Sequence, residues 1–220
     1  MDRRKKRDER KMDEKKELLL YAVTDRRWLR GRTLYEQVEE ALKGGVTMVQ
    51  LREKNMPRQE LLEEADRLRK LCAGYQVPFL INDDVEAARM TDADGVHLGQ
   101  EDMGVCQARA ALGPDKIIGV SARTVGQAKL AWEQGADYLG TGAVFETGTK
   151  QDARVISYEQ LREICEAVPI PVVAIGGINA DNLYRLRGSG ISGIAVVSAL
   201  FAQPDVCGAA RSLKEKMRQM

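Results

Sequence analysis

The sequence predicts a single α/β domain of parallel strands and intervening helices, closed into a (β/α)8 TIM barrel or left open as a doubly wound sheet. Three observations predict it. From Glu17 onward, eight short apolar runs alternate with longer segments of helical period. The runs are nearly continuous in apolar character instead of alternating, so both faces of the sheet must be covered, which calls for parallel pairing with helical crossovers. No Pro/Ser-rich linker or low-complexity stretch divides the 220 residues, a length that suits one large domain. Eight strand-helix units close most economically as the barrel, although the open sheet would show much the same local pattern.

The elements follow in order. LLLYAVT (18–24) is the first strand. Thr33 and Glu36 then stand at capping-box spacing, starting a helix that Gly44-Gly45 closes. TMVQL (47–51) is the second strand. After Pro57, the residues Leu61, Ala65, Leu68 and Cys72 recur every three or four positions to make one apolar helix face, with Glu63, Glu64, Asp66 and Arg67 mostly opposite and Gly74 as the closing residue. FLIN (79–82) precedes Asp84, an N-cap for VEAARM, and GVHLG (95–99) comes next. IIGVS (117–121) leads to Thr124 and Gln127, again at capping-box spacing, with Gly135 where that helical pattern ends. DYLGTG (137–142) is followed by Ser157 and Gln160, then by PVVAIG (171–176) and IAVVS (194–198).

Composition excludes several functions. The 34 basic and 33 acidic residues nearly cancel, so nothing draws the chain as a whole to nucleic acid or to an anionic membrane. The opening MDRRKKRDERKMDEKKE mixes both signs and has no apolar segment, so it reads as a charged, poorly ordered arm over residues 1–16, with the barrel domain spanning 17–220. It is neither a secretory signal nor a membrane span, and the expected compartment is the cytoplasm. Cys72, Cys106, Cys165 and Cys207 are widely spaced at apolar helical positions and read as reduced packing residues. The sole histidine, His97, lies inside a strand pattern, where it reads as a packed or supporting residue and not a base, so a zinc site is not expected. Trp28 and Trp132 read as packing.

In either architecture, ligands gather at the carboxyl ends of the strands. Those ends carry Thr24-Asp25; Gln50, Arg52 and Lys54; Asn82-Asp83-Asp84; Gln100-Glu101-Asp102; Ser121 and Arg123; Thr141 through Lys150; Gly176-Gly177; and Val197-Ser198. Arg52 and Lys54 either converge on an oxygen-rich anion such as a diphosphate or form a loop ion pair. Asp83 and Asp102 supply hard oxygen ligands suited to Mg²⁺. FETGTKQD (145–152) offers the hydroxyls, amides and ammonium of Thr147, Gly148, Thr149 and Lys150 to a phosphate. The glycines of AIGGI and the strand end VVSAL supply the usual phosphate cup of a barrel.

Taken in order, QLREK, INDD, HLGQED, GVSART, TGAVFETGTK, AIGGI and VVS resemble the thiamine phosphate synthase (thiamine-phosphate pyrophosphorylase) family, from about Tyr21 to Ser198. The resemblance implies a (β/α)8 transferase. It would join hydroxymethylpyrimidine diphosphate to thiazole phosphate, or to its carboxylate form, giving thiamine phosphate and diphosphate. Matched position by position, it places Gln50, Arg52, Lys54, Asn82, Ser121 and Lys150 on the pyrimidine diphosphate, with Arg52, Lys54, Ser121 and Lys150 as catalytic groups. It places Mg²⁺ on Asp83 and Asp102, and the thiazole phosphate on Thr147, Thr149, Gly177, Val197 and Ser198. The family's reaction starts with ionisation of the pyrimidine diphosphate, which needs no strong base. The partners implied are these two small molecules, with no nucleic acid and no membrane, and the oligomeric state stays open. Two departures stand out: Glu146 and Gly148 occupy a loop that in the family more often reads Pro-Thr-x-Thr-Lys, and the spelling VFET is similar to the related thiazole tautomerases. Those relatives generally lack the paired metal aspartates that are kept here. A tautomerase-like barrel and a non-catalytic phosphate-binding regulator are the alternatives.

Overall fold

In the computed structural model, residues 16–148 and 154–220 are described. The arm read over 1–16 therefore falls, except for Lys16, outside the described residues, as do Thr149 and Lys150. The apolar runs become strands β1 (Leu20–Val23), β2 (Met48–Leu51), β3 (Phe79–Asn82), β4 (Gly95–Leu98), β5 (Ile117–Ser121), β6 (Tyr138–Gly142), β7 (Val172–Ile175) and β8 (Gly193–Val196). Each pairs in parallel with its sequence neighbours, and β1 also pairs with β8, Tyr21 opposite Ala195, so the sheet closes as a barrel. Closure decides against the open sheet.

The helices are α1 (Leu34–Lys43), α2 (Arg58–Gly74), α3 (Val85–Met90), α4 (Val105–Leu112), α5 (Val125–Glu133), α6 (Tyr158–Ala167), α7 (Ser198–Phe201) and α8 (Val206–Arg218). Because each strand is apolar on both faces, the barrel has two cores. Outward side chains such as Leu20, Val49, Ile81 and Val96 pack with the helix faces, including the stripe Leu61, Ala65, Leu68 and Cys72 of α2. Inward side chains, among them Tyr21, Met48, Leu80, Ile117, Tyr138 and Val173, form a separate cluster in the lumen. That alternation is the two-residue period of a strand.

Local signals hold in part. Thr33 and Glu36 form a complete capping box: the Thr33 hydroxyl accepts from the Glu36 amide at 3.2 Å, and Glu36 Oε2 accepts from the Thr33 amide at 2.7 Å. Thr124 and Ser157 cap α5 and α6, but the second arm of each box goes elsewhere. Gln127 Oε1 accepts from the Arg123 amide at 2.8 Å, and Gln160 Nε2 donates to the Arg123 carbonyl at 2.6 Å, so both glutamines clamp the backbone after β5. Asp84 caps α3, accepting from the Ala87 amide at 2.8 Å.

Several expectations need correction. Gly45 and Gly135 take left-handed conformations, each with φ +95°, but α2 runs through Gly74 and the left-handed residue beyond it is Gln76, φ +57°. The connection from β7 to β8 contains only a short 3-10 turn, Leu183–Leu186, instead of an α-helix. There Asn179 Oδ1 accepts from the amides of Asp181 and Asn182, and these local bonds replace the helical ladder. Cys72 is buried, yet Cys106 is exposed, because α4 buries only Val105 and Ala108. Trp28 packs against the outer core, whereas Trp132 is exposed. Among the described residues, no helix is long and apolar enough to cross a membrane.

Glycine shapes the lumen on one side. Gly119 of β5 lies opposite both His97 and Tyr138, and a Cβ there would collide with the Tyr138 ring. Gly148, by contrast, has open space around its missing side chain. Gly119→Ala is expected to cost about 1–3 kcal/mol through overpacking, lowering the melting temperature by roughly 2–4 °C per kcal/mol. Gly148→Ala should stay within about 0.5 kcal/mol. Thermal melts of both variants check this, and an unchanged Gly119→Ala melt contradicts the packing account.

Candidate active site

The strand ends enclose a cavity of about 170 Å³, larger than the roughly 150 Å³ apolar cavity that accommodates benzene, so it has the size of a single ring. Of the residues singled out from sequence, Gln50, Arg52, Asn82, Ser121, Thr147, Gly177, Val197 and Ser198 all line it, and so does Arg123. They come from six strands and the loops that follow.

The backbone explains why they face inward. In QLREK, alternation turns Arg52 toward the cavity and sends Glu53 the other way. Arg26 holds Glu53 at 2.7 Å and Glu64 at 2.9 Å, which removes that acid from the site, and burial pushes the Glu53 carboxyl above its usual range despite Arg26. The Arg52 amide donates to Thr24 Oγ1 at 2.9 Å, tying the ends of β1 and β2. At the end of β7, Gly176 and Gly177 have φ of +101° and +67°. A Cβ on either would strike Ala143 or the Glu146 carbonyl, so this pair lets the loop bearing Thr147 lie directly over β7. Glu146 and Gly148, the departures in that loop, are both exposed, and a Cβ at Gly148 would meet open space.

The acids stand at the rim, outside the main cavity. Lys54 and Asp83 line a shallow pocket that shares Asn82 with it. Lys54 Nζ lies 2.9 Å from Asp83 Oδ2, so the ion pair expected as one alternative for Lys54 does form. Asp83 is held in the left-handed region at φ +63°, unusual for a residue other than glycine, while its amide donates to the His97 carbonyl at 2.8 Å. That turn lets Asp83 face the rim while Asp84 caps the helix. Asp83 and Asp102 are close enough for each to act on the other's titration, and Asp102 Oδ2 accepts from the Gly99 amide at 2.6 Å. Burial and the neighbouring carboxylate push Asp102 above its usual range; burial acts the same way on Asp83, but hydrogen bonds from Asp102 and Lys54 outweigh it and hold Asp83 low. Two carboxyl groups set this close at the rim form a place for a cation. Among the described residues there is no cluster of three or more metal-ligating side chains. The donor set thus suits Mg²⁺, which is commonly held by one or two carboxylates together with substrate phosphates and water. Glu101 is exposed.

The floor holds what sequence reasoning missed. Gln50 Nε2 donates to the Tyr21 hydroxyl at 2.5 Å, Tyr21 and Tyr138 share a hydrogen bond of 2.9 Å, and Tyr138 bonds His97 Nδ1 at 2.9 Å. His97 Nε2 lies 3.0 Å from Ser121 Oγ. His97 thus supports Ser121, as its place in a strand suggested. Tyr21 and Tyr138 were absorbed into apolar runs, although Tyr138, Gly140 and Gly142 recur every second residue and all face the cavity.

Comparison with known proteins identifies the family. The thiamine monophosphate synthase family matches residues 20–200. The thiamine-phosphate synthase of Clostridium acetobutylicum is 47% identical over 201 residues, covering 91% of this chain and 92% of that protein. That of Ruminiclostridium cellulolyticum is 46% identical over 204 residues, covering 93% and 97%. The solved structure of thiamine phosphate pyrophosphorylase from Pyrococcus furiosus superposes with a TM-score of 0.86 at 45% identity, over 93% of this chain and 98% of that one. With the match spanning every strand of the barrel, the chain belongs to the thiamine monophosphate synthase family.

Proposed function

We infer that this cavity is where a pyrimidine diphosphate and a thiazole phosphate are joined, with release of diphosphate. The activity, that of a thiamine phosphate synthase in thiamine biosynthesis, follows from family membership. The assignment of residues to steps is our own reading. The observation that carries it is the rim formed by Lys54 and Asp83, 2.9 Å apart with Asp102 beside them, next to a ring-sized cavity that shares Asn82 with it.

Arg52 and Lys54 attract the oxyanions of the diphosphate, and Asn82, shared by the rim pocket and the cavity, spans the junction between ring and leaving group. Gln50 holds the pyrimidine end, and Ser121 contacts the same substrate. Mg²⁺, when bound by Asp83 and Asp102, neutralises charge that develops on the departing diphosphate, an effect worth several kcal/mol. The carbon–oxygen bond breaks first, its electron pair leaves with the diphosphate, and the thiazole nitrogen then donates its lone pair to the electron-poor carbon. No strong base is required, which agrees with a site whose single histidine is engaged on both ring nitrogens. Thr147, Gly177, Val197 and Ser198 surround the thiazole phosphate. The resemblance assigns Thr149 to the same phosphate and Lys150 to the pyrimidine diphosphate; both lie outside the described residues. Both substrates are small soluble anions, and the cytoplasm is the compartment we assign.

The metal assignment is tested by diphosphate release from the two substrates. Activity is expected with Mg²⁺ and not with a chelator, and Asp102→Asn should lower turnover about 100-fold or more. A metal-independent isomerisation of a thiazole phosphate would instead indicate the tautomerase reading. The phosphate cup is tested separately. Ser198→Ala should raise KM for thiazole phosphate by roughly 10-fold or more, the worth of one hydrogen bond to a charged group, while KM for the pyrimidine diphosphate stays constant. Equal changes in both constants would remove Ser198 from the cup.

A further inference from the structure

The hydrogen bonds across the lumen have a direction. Gln50 donates to Tyr21, so the phenolic hydrogen of Tyr21 is left to donate to Tyr138, 2.9 Å away. The hydrogen of Tyr138 then goes to His97 Nδ1, also at 2.9 Å. A neutral imidazole that accepts at Nδ1 carries its proton on Nε2, and Nε2 faces Ser121 Oγ at 3.0 Å. The Ser121 oxygen is thereby an acceptor from histidine, and its own hydrogen is free to point at a ligand. We propose that this five-residue chain locks His97 as the Nε2–H tautomer and so presents the Ser121 hydroxyl as a hydrogen-bond donor to a substrate oxyanion, with Tyr21, Tyr138 and His97 acting as positioning residues. The identity of the oxyanion, the departing diphosphate, rests on the function inferred above; the tautomer does not.

The opposite polarity is disfavoured by the same contacts. Were Nδ1 protonated, it would donate to Tyr138, Tyr138 would donate to Tyr21, and Tyr21 would receive two donors. Its own hydrogen would then be buried without an acceptor, at a cost comparable to a lost buried hydrogen bond. An imidazolium meets the same conflict. Neither phenol escapes by ionising, because burial pushes both well above the ordinary tyrosine range.

The fold makes room for this chain at the expense of side chains elsewhere. His97 lies opposite Gly119, Gly119 opposite Tyr138, and Ser121 opposite Gly140. A Cβ at Gly140 would sit 2.9 Å from His97 Cε1, and one at Gly119 would strike the Tyr138 ring. Two glycines at inward strand positions thus seat the two rings, an arrangement that weakens a strand unless the space is needed.

His97 is the only histidine, so nitrogen NMR of the labelled protein reads a single imidazole. The resting protein should show a pyrrole-type Nε2 and a pyridine-type Nδ1. Gln50→Glu, which replaces the donor by an acceptor, should reverse the chain and move the proton to Nδ1. Tyr138→Phe should blur the tautomer signature and lower kcat about 10-fold, with both KM values within about twofold and a melt that stays cooperative though lower by a few degrees. A wild-type spectrum with the proton on Nδ1, on both nitrogens or averaged between them overturns the proposal, as does a Gln50→Glu spectrum like the wild type. Wild-type kcat in Tyr138→Phe overturns the role given to Ser121. If the protein forms no thiamine phosphate, the functional reading fails while the spectra still decide the tautomer.

Discussion

Closure of the parallel sheet is the constraint on which everything else depends. Once β1 pairs with β8, all the strands run the same way around a ring and their carboxyl ends share one rim. Residues remote in sequence then become neighbours without any long excursion of the chain. Asn82 lies opposite His97 in the ladder, Val23 opposite Gln50, and Ser121 opposite Gly140. The register also sets parity: one residue of slip would exchange the lumen cluster for the outer core.

Charge is sorted locally within a chain of almost no net charge. Many cations near the rim are tied to a carboxylate that is itself displaced from the cavity, as Arg26 is with Glu53 and Glu64, or Arg58 with Asp84. Lys54 is the informative exception, because its partner Asp83 is one of the paired acids. The arrangement leaves a cationic wall beside an acidic rim. That suits a reaction in which a highly charged group departs, and it offers little to a reaction that needs a base.

Beneath the rim, the barrel departs from a purely apolar interior. A buried polar chain is stable only when each member has its partner. The chain from Gln50 to Ser121 meets that condition while reaching across five strands. It links two residues of the cavity lining, Gln50 through its amide and Ser121 through its hydroxyl. The apolar floor around it, with Met48, Leu80 and Val173, keeps water from competing for those bonds.

The sequence by itself determined the strand-helix order, the inward stripe of α2, the cap at Asp84 and the set of polar residues at the strand ends, because all of these depend on neighbours within a few positions. It also determined the family, through motifs whose order survives without coordinates. Only the tertiary structure decided that the sheet closes, since open and closed sheets share the same local pattern. It likewise decided where the two glutamines of α5 and α6 spend their side chains, which residue ends α2 and why the crossover before β8 lacks a helix, each set by competing hydrogen bonds. Tyr21 and Tyr138 read as apolar strand residues until the register placed their hydroxyls 2.9 Å apart. A side chain's chemistry inside a barrel depends on what stands across the lumen, and that distance is fixed by strands 117 residues apart in the chain.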